Sequence, residues 1–181
     1  METEKIVKIE ITPRMKEEAI TETMKDLKNM SKRTKRRFTF QKLYIGTLGQ
    51  KCVEKLLREN NIIFQTDATR MPGRGDRFDI KSGSYLIEVK IRSHDQENLL
   101  IIPKRQIDRN IFNYYIGVKL DQPLNYAFVH GYAYSGEIRT STLTQSEYGY
   151  WYHFSFERLN PIQELIVNLP TNRPAFDEFS F

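Results

Sequence analysis

The chain has 181 residues, 39% hydrophobic and 28% charged, a globular composition that argues against disorder and, at about 100–200 residues per domain, fits one domain or one domain with an arm. The single cysteine, Cys52, excludes a disulfide framework and any Cys-rich metal site, and no apolar run approaches the roughly 18 residues of a membrane span. The charge-alternating N-terminus does not read as a signal peptide, so an intracellular, cytoplasmic protein without membrane contact is expected. The net charge of +5 is unevenly spread: residues 1–30 carry −1, residues 31–120 carry +10 and residues 121–181 carry −4. Such a basic middle attracts polyanions, nucleic acid above all.

Residues 5–11 alternate like a short strand, and Pro13 opens a helix to about Met30 with Met15, Ala19, Met24 and Leu27 near one stripe. The run SKRTKRRFTFQK, residues 31–42, holds six basic residues and no acid. It reads equally as a solvated linker or as a phosphate-contacting arm through Lys32, Arg33, Lys35, Arg36 and Arg37. Tyr44 to Asn60 predicts a helix, Ile62–Phe64 a short buried strand, and Thr66 to Gly75 a loop punctuated by Pro72, Gly73 and Gly75. Arg77–Ile80 and Tyr85–Arg92 read as a hairpin, Asn98–Ile102 as a further strand, and Pro103 as the start of a helix reaching Tyr115. Tyr126–Tyr134 and Tyr150–Phe156 are aromatic-rich strands, and Pro161 starts a final helix through about Val167. The expected organisation is an arm over 1–43, a core over 44–167 and a tail over 168–181.

The segment GDRFDIKSGSYLIEVKIRS, residues 75–93, carries the chemistry. Alternate side chains of a strand share a face, so Tyr85, Ile87, Val89 and Ile91 form an apolar back while Glu88 and Lys90 point together from the front. With Ser82-Gly83 as the turn, Lys81 faces Ser84 and Asp79 faces Leu86. Asp79 then becomes a diagonal neighbour of Glu88, about 7–8 Å away. Two carboxylates at this spacing suit a hard divalent cation such as Mg²⁺, which acidifies a bound water and neutralises charge on a phosphate, with a lysine beside it to hold the attacking water. Read plainly, the same residues are a half-exposed strand with alternating charges and an aspartate nearby.

The segment resembles the PD-(D/E)XK nuclease superfamily, with Asp79, Glu88 and Lys90 at the motif positions and Phe78 in place of the proline. The resemblance implies an α/β (α+β mixed) restriction-endonuclease-like core, a central mixed β-sheet flanked by helices, with an N-terminal strand–helix arm and a C-terminal strand–helix addition. It implies metal ligation by Asp79, Glu88 and the backbone carbonyl of Val89. Members bring an acid from the first helix; in IGTLGQKCVEKLL that position is Gln50, with Glu54 one turn on as a substitute. Lys104, Arg105 and Gln106 match a helix start that approaches the scissile phosphate. Arg70, Arg74 and Arg77 flank the motif loop as phosphate contacts.

The expected function is a Mg²⁺-dependent DNA endonuclease, with Mn²⁺ substituting. Cutting both strands at symmetric or branched sites implies a homodimer. The alternatives are a catalytically weak or inactive nucleic-acid-binding module on the same fold, and an α+β domain unrelated to nucleic acid.

Overall fold

The computed structural model describes residues 6–30, 39–67 and 78–171. It is a mixed α/β fold with a central mixed sheet, a second small sheet and flanking helices.

β1 (Val7–Glu10) leads into α1 (Pro13–Asn29). The helix begins where Thr12 Oγ1 accepts the Met15 amide at 3.3 Å and Pro13 takes the first helical position, where its missing N–H costs nothing. Its buried line is Met15, Ala19 and Thr23, while Met24 faces solvent, so the stripe runs at strict i, i+4 spacing rather than through Met24. α2 (Phe40–Glu59) starts four residues earlier than the sequence suggests, capped by Thr39 Oγ1 on the Lys42 amide at 3.2 Å. It ends through Asn61, left-handed at φ 56, a conformation asparagine tolerates. α1 lies along α2, tied by Lys51, which is 8% exposed and donates to Glu22 at 2.6 Å.

After α2 come β2 (Gln65–Thr66), β3 (Ile80–Ser82) and β4 (Tyr85–Arg92). Then follow β5 (Leu99–Pro103), the short α3 (Lys104–Asp108), β6 (Tyr114–Leu120) and β7 (Tyr126–Tyr134). A turn of helix, α4 (Ser135–Ile138), precedes β8 (Thr142–Ser146), β9 (Gly149–Ser155) and α5 (Ile162–Asn168).

The helix expected through Tyr115 is the main departure. α3 stops at Asp108, Asn110 turns left-handed at φ 48, and Tyr114–Leu120 becomes a central strand. Six of the seven β6 residues are buried, so both faces are apolar and the period-2 alternation that marks a strand is missing. Ile62 makes only an isolated bridge to Thr171, and the strand expected at Ile62–Phe64 lies instead at β2.

The main sheet runs β1-β7-β6-β4-β3-β2, antiparallel except for the parallel β4–β6 pair. The segment set off in the sequence as an N-terminal arm thus supplies an edge strand of the sheet and one of the helices that cover it. One sheet face packs Ile87, Val89, Ile116 and Val118 against Leu48, Cys52, Val53 and Ala19 of the helices. On the other face, Tyr115 and Ala133 meet Leu100, Ile102, Tyr152 and Phe154 of the small sheet, ordered β5-β9-β8.

Where the small sheet's chain returns across the large one, the surface must be bare. Gly117 and Gly131 pair across β6 and β7 beside a bulge that omits His130. Asn160 lies against Gly131 and exchanges backbone hydrogen bonds with Tyr132 at 2.8 and 3.0 Å. A side chain on Gly131 would overlap the Asn160 carbonyl, and one on Gly117 would meet Leu159 at 2.8 Å.

Candidate active site

The hairpin keeps the expected parity but not the expected register. Ser82 pairs with Tyr85, Lys81 with Leu86 and Ile80 with Ile87, so the turn is Gly83-Ser84. Gly83 sits at φ +58, the left-handed first turn position that favours glycine, while Ser82 is buried with its hydroxyl donating to the Ile63 carbonyl at 2.7 Å. Continuing this register places Asp79 directly opposite Glu88 rather than opposite Leu86. The observed pairing stops at Ile80–Ile87, one step short of Asp79 and Glu88.

Asp79 precedes β3, just where the ladder to β4 runs out. The Val89 N–H at that point has no strand carbonyl to meet, and Asp79 Oδ2 accepts it at 2.7 Å. Glu88 and Lys90 project from the same face of β4. Their side chains are only 13% and 21% exposed, and Lys90 Nζ donates to Glu88 Oε1 at 2.6 Å. Behind them Ile87 and Val89 are buried in the main core, the apolar back that the alternation predicts. Beside Glu88 in the parallel register lies Tyr115, fully buried, whose hydroxyl is held above its ordinary range by burial first and by the Glu88 charge second. Sequence reading missed this neighbour because β6 itself is hidden in an apolar run.

α2 reaches the hairpin at Gln50. Its amide donates to the Asp79 backbone carbonyl at 3.3 Å and to Glu54 Oε1 at 3.2 Å. Glu54, 8% exposed, has its other oxygen on Arg58 Nη2 at 2.8 Å. Both Glu54 oxygens are thus committed along the helix, and the helix touches the motif through an amide at the backbone of Asp79. The approach depends on Gly49, where a Cβ would overlap Ile91 of β4.

Of the other residues singled out, Lys104 pairs with Asp108 at 2.5 Å on the exposed first turn of α3, and Arg105 faces solvent. Gln106 turns its amide oxygen inward, where it has no hydrogen-bond partner among the described residues. Lys32, Arg33, Lys35, Arg36, Arg37, Arg70, Arg74 and Arg77 lie outside the described residues.

Among the described residues no three His, Cys, Asp or Glu side chains gather as a metal cage. The acids of the hairpin, Asp79 just before β3 and Glu88 on β4, are of the oxygen-donor kind that suits a hard cation keeping several of its waters and completing its shell from substrate oxygens. No helix among the described residues is long and apolar enough to cross a membrane. Compared with known protein families and with curated proteins, the chain matches no family model and no curated sequence.

Proposed function

We propose that the protein is a metal-dependent nuclease acting on DNA, with its centre at Asp79, Glu88 and Lys90. The observation that carries this reading is the hairpin, whose register leads Asp79 toward Glu88 and whose Val89 N–H holds the Asp79 carboxylate at 2.7 Å, with Lys90 two residues along from Glu88 on one face. Asp79 and Glu88, with the Val89 carbonyl, would hold Mg²⁺ or Mn²⁺; such a cation, when bound, acidifies a water and neutralises phosphate charge. Lys90 supplies a cation beside the carboxylates, able to hold a water or a phosphate oxygen once Glu88 turns to another partner. Tyr115 and the small sheet wall one side of Glu88 and limit its access to water.

The charge distribution supports a polyanionic substrate: the +10 segment, residues 31–120, contains the hairpin and both basic stretches that flank it. The test is incubation of plasmid and oligonucleotide DNA with the protein under Mg²⁺, Mn²⁺, Ca²⁺ or EDTA. Cleavage that needs Mg²⁺ or Mn²⁺, and is lost in Asp79→Asn and Lys90→Ala, supports the reading. DNA left intact under every metal removes it.

A second reading has its own observation. The helix offers an amide and a fully engaged Glu54 where a further carboxylate would strengthen cation binding. The same fold would then bind nucleic acid and cleave it weakly or not at all. Salt-dependent DNA binding in Ca²⁺ without cleavage in Mg²⁺ would select it.

A further inference from the structure

We propose that β8 is a self-pairing edge through which two copies of this chain associate, their small sheets joining into one continuous sheet. The proposal does not depend on the chemistry assigned to Asp79 and Glu88.

β8 is the outermost strand of the small sheet, and all five of its residues are exposed. Edge strands in soluble proteins are ordinarily blunted by a charge, a proline, a bulge or a covering element. Thr142-Leu143-Thr144-Gln145-Ser146 carries no charge and no proline, and it pairs with β9 in unbroken register.

The hydrogen-bonding pattern follows from the hairpin. Ser146 pairs with Gly149 across the two-residue turn Glu147-Tyr148, so Ser146, Thr144 and Thr142 spend their backbone groups on β9. Leu143 and Gln145 then direct N–H and C=O away from β9, toward open solvent. A second β8 laid antiparallel about a twofold axis at Thr144 sets Leu143 of each copy opposite Gln145 of the other. These are the residues with outward groups, and they close two reciprocal pairs of backbone hydrogen bonds.

Side chains and charge agree with that register. Leu143, 42% exposed, and Tyr150, 50% exposed, lie on one face of the small sheet. The twofold brings the two Leu143 side chains together as diagonal neighbours on that face. No charge opposes its like along the strand. Glu147 closes one end of β8, and the exposed Arg158 donates to Thr140 Oγ1 at 2.8 Å just beyond the other. Antiparallel pairing brings the acid of each copy to the basic end of its mate. The contact is small beside the roughly 1,200–2,000 Å² of a standard stable interface, so the dimer is concentration-dependent.

Sedimentation of the full chain across a wide concentration range tests it, without DNA or metal. The expected result is a monomer–dimer equilibrium that Gln145→Pro weakens at least tenfold. That substitution removes an outward N–H and no bond to β9, and circular dichroism checks that the variant remains folded. As a second arm, Thr144→Cys places two thiols face to face on the axis, at a separation a disulfide can bridge. Mild oxidation should give a covalent dimer, with Cys52 buried and out of reach, whereas Tyr148→Cys, which does not meet its own mate, should give none. A monomer at every concentration, a dimer indifferent to Gln145→Pro, or equal crosslinking by the two cysteine variants would overturn the proposal.

Discussion

Asp79 has two tasks that substitution can separate. Clustered acids repel, and on that ground alone removing one should hold or raise stability. The carboxylate also accepts the Val89 N–H, which no strand carbonyl reaches. Asp79→Ala should therefore cost about 1–3 kcal/mol, the penalty of an orphaned buried donor, read as a lower urea midpoint. Asp79→Asn keeps an acceptor and should lose activity with little loss of stability. A similar inversion holds at Gln50. A glutamate there would add charge for a cation, but Gln50 donates to Glu54 and to the Asp79 carbonyl, and a carboxylate donates to neither. Gln50→Glu should melt several degrees lower than wild type without divalent cation, and Mg²⁺ should recover part of the difference if the metal reading is correct. Differential scanning fluorimetry with and without Mg²⁺ reads both effects. Much of the candidate hairpin was legible at this scale: the alternation in YLIEVKIR and the parity of the β3–β4 pairing needed only the strand period. The register was not, because Ser82-Gly83 and Gly83-Ser84 are equally good turn dipeptides. What separates them is the burial of Ser82 and its bond to Ile63, a contact nineteen residues distant that no local pattern carries.

At the scale of elements, the glycine in IGTLGQK sets how closely α2 lies on β4. Gly49→Ala would gain helix propensity of about 1 kcal/mol yet push Ile91 aside, an overpacking cost of about 1–3 kcal/mol. The expected net effect is a loss of up to about 2 kcal/mol. The Gln50 contact to Asp79 should loosen with it, so on the proposed function Gly49→Ala should cleave DNA more slowly even where it remains folded; chemical denaturation and a cleavage assay measure the two effects separately. The two long helices announced themselves in the sequence because caps and stripes are local, as Thr12 with Pro13 shows for α1, whereas the short helix after Pro103 was read too long. The strands that were missed lie at opposite extremes. β6 is buried on both faces and offers no alternation, whereas β8 is exposed on both and offers no apolar residue but Leu143. Periodicity marks only strands with one wet face.

Across the whole molecule, two cores and one buried thiol set the response to alkali. Burial pushes the Cys52 thiol up to about 12, against a smaller pull from Lys55, and holds Tyr114, Tyr115 and Tyr132 above the usual phenol range. In the unfolded chain the thiol ionises near pH 8.5 and the phenols near 10. Folded-state pKa values above unfolded ones mean stability that is intact below about pH 8.5 and falls as pH rises beyond it, by up to about 1.4 kcal/mol per pH unit for each group in its window. Urea titrations between pH 8 and 11 should show this decline, and Cys52→Ala should flatten its first part. Thiol reagents at pH 8.5 should label Cys52 only after unfolding. Charge acts at the same scale. If residues 32–37 lie along DNA, replacing their five basic side chains should lower the slope of log affinity against log salt by about 2–4. The loss should be alike for every sequence, as expected for contacts to phosphates.

The pairing of β1 with β7 has a consequence for how the chain is made. β1 lies at the edge of the main sheet, and its neighbour there among the described residues is β7, a strand made much later. At roughly 5–20 residues per second, the interval between their synthesis is on the order of ten seconds. Until β4 and β6 have followed, the apolar sides of α1 and α2 have no sheet to cover, and until β7 is made β1 has no strand to pair with. The nascent chain therefore faces its greatest hazard of misassociation before β7 appears, and fragments ending short of Tyr126 should be prey for chaperones and proteases while chains that include β7 escape both.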